Sequence, residues 1–326
     1  MSTEQGAGVS RLFLSCDLTG STNYKQKRAD GLWRKTFLQF YREFPQEVAN
    51  TQVETKSTDL EFHLWKPVGD ELIFTVDVGC EMDVYRAVRT WTQTMRRFDK
   101  ENLDDDLGTK GGAFIATFPG PDSESSIPRT PLVEKFDRDV VDLNREAIRN
   151  KNKAQIRDLY LFDYFGPSID TGFRILSQCT SRFFTLSIEA AYAISLAHQQ
   201  ADAAFEMYRK EDFVMLGAVG LKGVWGGREY PVFALDLDCD DNVHKAMVPF
   251  AQNASTAQQM MDLCQACYRG DNWPFVLYLP NAINSDFHAP PVDPLRDYPT
   301  GTTAGAETVA PETASPQDLR DDAPLG

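Results

Sequence analysis

The chain has 326 residues, 42% hydrophobic and 11% aromatic, enough to bury a substantial core in one large domain or two small ones. Its 48 acidic against 33 basic side chains leave a net charge of -15, which repels a polyanion and argues against a general nucleic-acid partner. No run approaches the roughly 18 apolar residues of a membrane span. MSTEQGAGVS at the start lacks the basic and apolar parts of a signal peptide, and the six cysteines do not form a disulfide framework, so a cytoplasmic protein without a membrane partner is expected.

In chain order, Arg11–Leu18 (RLFLSCDL) reads as a buried strand that ends in the polar turn Thr19-Gly20-Ser21-Thr22. From Asn23 to about Asn50 the apolar residues recur at helical spacing. Glu61–Trp65 and Glu71–Val76 are extended runs joined by Lys66-Pro67-Val68-Gly69-Asp70, the pattern of a hairpin. Cys80–Asp99 is helical in period and Gly111–Phe118 (GGAFIATF) is a further strand. Pro119–Pro131, with four prolines, predicts an exposed loop, and Val133–Arg157 a charged helical stretch. Tyr160–Gly166 (YLFDYFG) leads into a helix over Pro167–Cys179 with Pro in its first turn. Arg182–Leu186 is a strand, Ile188–His198 and Ala201–Tyr208 are helices, and Phe213–Gly220 with Arg228–Leu235 form a closing strand pair.

This order predicts an α+β fold, a ferredoxin-like βαββαβ domain with added helices and a C-terminal strand pair. The expected divisions are a catalytic domain over 1–240, a helical extension over 241–280 and a disordered tail over 281–326, where seven of the 18 prolines fall and large apolar residues almost vanish.

Two carboxylates stand out. Asp17 ends a buried strand in FLSCDLTGST, and Asp70 lies in KPVGDELIF. A carboxylate at a strand end suits a hard cation such as Mg²⁺ or Mn²⁺, which takes oxygen ligands and leaves positions for phosphate. Taken singly, each reads more readily as a turn residue. In FDYFGPSIDTGFRI, Asp170 and Arg174 are spaced to share one helical face, where Arg174 can offer a planar fork to phosphate or simply pair at the surface. In GLKGVWGGREYPVF, Lys222 lies among glycines in a turn. CQAC (Cys264, Cys267) is a lone pair and reads as helix-surface cysteines, and the four histidines show no ligand spacing.

Taken in order, FLSCDLTGST, KPVGDELIF, GGAFIATF, FDYFGPSIDTGFRI and LKGVWGGREYPVFAL resemble the motif series of class III adenylate and guanylate cyclases, over about Arg11 to Leu235. The resemblance implies two divalent ions, Mn²⁺ or Mg²⁺, per active site, held by Asp17, Asp70 and the Leu18 carbonyl. It implies Arg174 as the transition-state arginine, Lys222 as the phosphate lysine and Lys66 with Asp163 as the base-selecting pair. It also implies a head-to-tail homodimer with sites at the subunit interface. One departure is Asp170, where the family carries a ribose-orienting Asn.

Lys66 with Asp163 matches the family's adenine-recognising pair, which would make ATP the substrate. The compact build and the opening FLSCDLTGSTNYK also resemble the stand-alone pyrimidine cyclases of bacterial Pycsar antiphage systems. That resemblance implies UTP ahead of CTP, cyclic UMP as product, a separate cyclic-nucleotide effector that reads it, and a role in abortive infection. Phe62, Trp65 and Tyr164 are the candidates for narrowing a base pocket to one ring. The reading from another class is an inert domain that binds nucleotide or dimerises without reacting.

Overall fold

Alternation along the first strand sets the architecture. In β1 (Val9–Thr19), Leu12, Leu14, Cys16 and Leu18 enter the larger core cluster, while Phe13 enters a separate smaller one. Both faces of this strand are therefore covered, which explains its nearly unbroken apolar run. The structure, a computed structural model, describes residues 8–28, 31–104, 106–131, 138–200, 213–238, 241–247 and 257–298.

Helices α1 (Ser21–Lys27) and α2 (Trp33–Thr55) follow β1, then β2 (His63–Val68), β3 (Glu71–Val78), α3 (Glu81–Glu101), β4 (Gly108–Lys110) and β5 (Gly112–Phe118). β1 lies between β3 and β5, antiparallel to both, and β2 pairs with β3 at the edge. The order β2-β3-β1-β5 is the ferredoxin-like βαββαβ arrangement expected from the sequence. β8 (Phe183–Leu186) extends it in parallel beside β5, and the antiparallel strands β10 (Glu229–Asp236) and β9 (Phe213–Gly220) close it.

The large core lies on one face, where Trp91 of α3 meets Phe44 of α2 and Phe74 of β3. α7 (Ile188–Gln200) is buried along most of its length, as its apolar composition requires. The opposite face is covered by α6 (Pro167–Leu176), which approaches β5 through Gly172: a Cβ there would lie 2.3 Å from the Phe114 ring.

Several sequence-based boundaries shift. The helical stretch from Asn23 divides into α1 and α2. Lys66, Pro67 and Val68 belong to β2, so the hairpin link shortens to Gly69-Asp70. The proline-rich loop from Pro119 contains strand β6 (Ser123–Pro128), which pairs with β7 (Tyr160–Phe165) as a two-stranded ribbon. Ala201–Tyr208 lies outside the described residues.

In the C-terminal extension, α8 (Asn242–Met247) and α9 (Ala257–Tyr268) are helical, whereas 269–284 is not. Cys264 and Cys267 of α9 are buried in the core instead of lying on the helix surface, because that face of α9 packs on α7. Within the tail expected to be disordered, residues 281–288 are held in place. Asn281 N donates to the Gly79 carbonyl at 2.8 Å, Ile283 N and Asn284 N donate to the buried Glu81 carboxylate at 3.1 Å each, and Phe287 is fully buried. Residues 299–326 of that tail lie outside the described residues.

The sheet belongs to one compact unit, built from residues up to Ser125 and from Phe162 to Arg296. A second unit includes the described residues 126–131 and 138–161 and carries α4 (Val140–Arg149) and α5 (Ala154–Leu159). There Asp139 caps α4 by accepting from Val141 N at 2.8 Å, and the Asn144 amide oxygen accepts from Ser126 N at 2.7 Å. No helix among the described residues is long and apolar enough to cross a membrane.

Candidate active site

Asp17 lies near the C-terminal end of β1, opposite Glu71 of β3 on one side and Lys110 of β4 on the other. Asp70 lies in the adjoining β2–β3 turn, where its backbone carbonyl accepts from Leu18 N at 3.4 Å. The strand end and the turn thus meet around a cavity of about 470 Å³, lined by Asp17, Leu18, the turn 19–23, Asp70 and Lys110. Gly20 makes the turn possible: its φ is +74°, and a Cβ would lie 2.7 Å from the Asp106 carbonyl oxygen.

Burial raises the Asp17 carboxyl above its ordinary range, the nearby Lys110 opposes that shift, and the charge of Asp70 adds to it. Glu71 is raised in the same way, first by burial, and is held by a hydrogen bond from the Ser15 hydroxyl. Lys110 Nζ lies 3.3 Å from Asp17 Oδ2 and Lys25 Nζ 3.9 Å from Asp70 Oδ2.

Among the described residues no cluster of three or more His, Cys, Asp or Glu side chains is placed to hold a metal ion. The donor set still fits Mg²⁺ or Mn²⁺. Two carboxylates and the Leu18 carbonyl are hard oxygen donors in one cavity, and such ions complete their shell with water and substrate oxygens.

Lys66 Nζ donates to both carboxylate oxygens of Asp163, at 2.9 and 3.0 Å. A β-bulge brings this about. Leu64 pairs with Phe74 and Lys66 with Ile73, so Trp65 is the extra residue and both Trp65 and Lys66 reach the Phe13 face. The ammonium sits 4.0 Å from the centre of the Trp65 ring and 5.7 Å from that of Phe173. Trp65, Tyr164, Phe13 and Phe114 pack together beneath it. Tyr164 is fixed further by Arg11, which donates to its hydroxyl at 2.5 Å.

Phe62 goes elsewhere. It packs against Trp91 in the larger core, with ring centres 6.3 Å apart, and so is separated from Trp65 and Tyr164 by the sheet. Arg174 lies on α6 and donates to the backbone carbonyl of Asp170 at 2.9 Å, while Asp170 itself is exposed. Lys222 is exposed in the turn between β9 and β10. Neither Arg174 nor Lys222 lines the Asp17–Asp70 cavity.

Sequence reasoning did not single out Lys110, Phe13 or Phe173. Lys110 follows Gly108 and Thr109 and resembles any surface lysine. Only the pairing of β4 with β1 places it against Asp17.

No protein-family model and no curated protein matches the chain. Solved structures do. The adenylyl cyclase CyaB from P. aeruginosa is 11% identical, over 70% of this chain and 94% of that one, at TM-score 0.44. The guanylate cyclase domain of RhGC from Catenaria anguillulae, in complex with GTP, is 11% identical over 70% and 97%, at 0.43. The guanylyl cyclase Cya2 is 17% identical over 71% and 93%, at 0.40. At these values the fold stands on its own strand register.

Proposed function

We propose that this chain is a class III nucleotide cyclase whose substrate is a pyrimidine nucleoside triphosphate, UTP ahead of CTP. One observation carries the cyclase reading: a single face of the sheet bears the Asp17–Asp70 cavity and, beside it, the Lys66–Asp163 pair. Lys66 is two strands across and one residue pair along from Asp17, about 12 Å on sheet spacings. That separation suits a nucleotide lying with its phosphates at one end and its base at the other.

In the reaction, the ribose 3′-oxygen attacks the α-phosphorus. The bond from that phosphorus to the α,β-bridging oxygen breaks, diphosphate leaves, and the 3′ proton goes to solvent. Two bound Mn²⁺ or Mg²⁺ ions would neutralise the triphosphate and lower the pKa of the 3′-hydroxyl. Asp17, Asp70 and the Leu18 carbonyl would hold those ions. Lys66 and Asp163 present a donor and an acceptor to the base edge. Arg174 and Lys222, which do not line this cavity, are assigned to the site of a second copy, so that a head-to-tail homodimer completes the machinery. Asp170 takes the ribose-facing position beside Arg174.

The preference for a single-ring base rests on the bulk of Trp65 and Phe173 against the Lys66 ammonium, with Tyr164 below. In this reading the product, cyclic UMP, serves a separate cyclic-nucleotide effector in cytoplasmic antiphage defence. A second reading, cyclic AMP made from ATP, is favoured by the Lys66–Asp163 pair itself, which matches an adenine-recognising pair.

Purified protein incubated with Mn²⁺ and each of ATP, GTP, CTP and UTP, with products identified by mass spectrometry, decides between them. Cyclic UMP or cyclic CMP supports the pyrimidine reading, and cyclic AMP replaces it with the second. No cyclic product from any nucleotide, with the homodimer verified, rejects the cyclase and favours an inert binding domain.

A further inference from the structure

Lys110 is the part of the cavity to which the cyclase reading gives no role. It stands on β4 directly opposite Asp17 on β1, so the two side chains share one sheet face. Among the described residues it is the only cationic side chain lining the cavity. Its ammonium lies 3.3 Å from Asp17 Oδ2, and both side chains keep partial contact with solvent.

We propose that Lys110 is a substrate-positioning residue that changes partners: it holds the Asp17 carboxylate until a divalent cation takes that carboxylate, and then donates to the triphosphate. The identity of that triphosphate as a nucleotide rests on the cyclase reading. A single ammonium in a partly solvated pair is a weak competitor for a carboxylate, whereas Mg²⁺ and Mn²⁺ favour hard oxygen ligands strongly. Once a divalent ion sits on Asp17, the like charges repel at this range and the ammonium must turn away.

Glu71, the other carboxylate in the row, is already engaged by the Ser15 hydroxyl. Glu71 and the Cys179 thiol are the other neighbours of Lys110, which also lines the cavity where phosphate oxygens would lie. A flexible stem with three donors suits that task. Lys222, exposed in its turn and outside the cavity lining, does not supply a phosphate contact from this chain.

The exchange predicts effects of opposite sign from one substitution. In full-length Lys110→Ala, Mn²⁺ alone, followed by electron paramagnetic resonance, should bind about 2- to 5-fold more tightly because its competitor is gone. Inorganic tripolyphosphate in the presence of Mn²⁺, followed by calorimetry, should bind about 10-fold more weakly because a charge-assisted donor is lost. Lys110→Arg should restore the tripolyphosphate affinity.

If both affinities fall together, or neither changes, Lys110 only supports the β1–β4 edge and the proposal is overturned. Lys110→Gln, which keeps much of the stem, provides the same pair of readings should the alanine variant not fold. Both readouts are independent of turnover. A wild-type chain that binds both probes as a verified homodimer yet cyclises no nucleotide would reject the cyclase reading and leave the partner exchange standing.

Discussion

Leu12, Leu14, Cys16 and Leu18 of β1 pack into the large core with α2 and α3, while the residues between them, Phe13, Ser15 and Asp17, lie on the other face. β3 repeats the division, with Leu72, Phe74 and Val76 in the large core and Glu71 and Ile73 opposite. The large-core face holds apolar side chains buried against helices. The other holds a small aromatic bed bordered by Asp17, Glu71 and the Lys66–Asp163 pair. One strand repeat thus separates stability from chemistry, since neighbouring residues point to opposite sides.

The sharpest test of that separation removes a carboxylate from the site face. Asp17→Ala or Asp70→Ala should lower turnover by about 1,000-fold or more, on the order of 4 kcal/mol in the barrier. The melting temperature should change little, because burial disfavours the Asp17 charge while its pairing with Lys110 offsets that cost. Turnover within a few-fold of wild type in either variant would remove the metal assignment. Trp91→Ala on the core face should do the reverse. Its ring fits among Phe44, Phe74 and Phe62, and its Nε1 donates to the Ser15 carbonyl at 2.9 Å. The cost should be about 3–5 kcal/mol in urea unfolding, with activity per folded molecule largely kept.

The C-terminal segment belongs with the core face, contrary to its composition. Truncation after Pro280 removes the buried Phe287 and the amides that satisfy Glu81, and should destabilise the protein by about 3 kcal/mol. An unchanged urea midpoint would show that the segment contributes nothing.

The sequence conveyed the fold well wherever period and burial agree. β1, β3, α3, β5, α6 and the closing strand pair lie within a few residues of where apolar spacing places them. It failed where a few specific contacts override composition. The tail's composition does not prevent 281–288 from docking, because backbone amides and one phenylalanine hold it. Asp17 and Asp70 could be picked out because one ends a buried strand and the other lies in a hairpin link, whereas Lys66 and Asp163 were named only through the family resemblance. Strict alternation separates Phe62 from Trp65, three residues apart; what it cannot reveal is the bulge that brings Lys66 to the same face as Trp65. Lys110 was illegible because its role depends on a three-residue strand pairing across the chain.

A titration probes the core face from within. Glu189 on α7 is fully buried, one carboxylate oxygen has no partner, and burial pushes its pKa up to about 7. Below the ordinary carboxylate range, folded and unfolded chains both keep this proton. As pH rises from about 4.5 to about 7, the unfolded chain releases it and the folded one does not, so stability falls, and above about 7 the loss levels off. The fall should be on the order of 2–3 kcal/mol. Glu189→Gln should remove that part of the pH dependence in chemical denaturation from pH 4.5 to pH 8, whereas identical profiles for the two proteins would mean that Glu189 ionises freely.

The smallest expected effect separates specificity from stability within the site face itself. Lys66 and Asp163 form a bidentate pair that is partly solvated, with side chains 31% and 24% exposed, so its loss should cost less than about 1 kcal/mol in unfolding. Its effect on substrate choice should be larger than its effect on the fold, because a base edge left without its donor and acceptor loses directional bonds in a partly desolvated pocket. Lys66→Ala and Asp163→Asn should each reduce discrimination between the preferred nucleotide and the next best by about 10-fold in kcat/KM. Trp65→Ala, which leaves the pair in place, should instead admit purines by removing bulk. If Lys66→Ala leaves the ranking of the four nucleotides unchanged while Trp65→Ala alters it, base choice depends on ring size, and the ion pair serves only to brace β7 against β2.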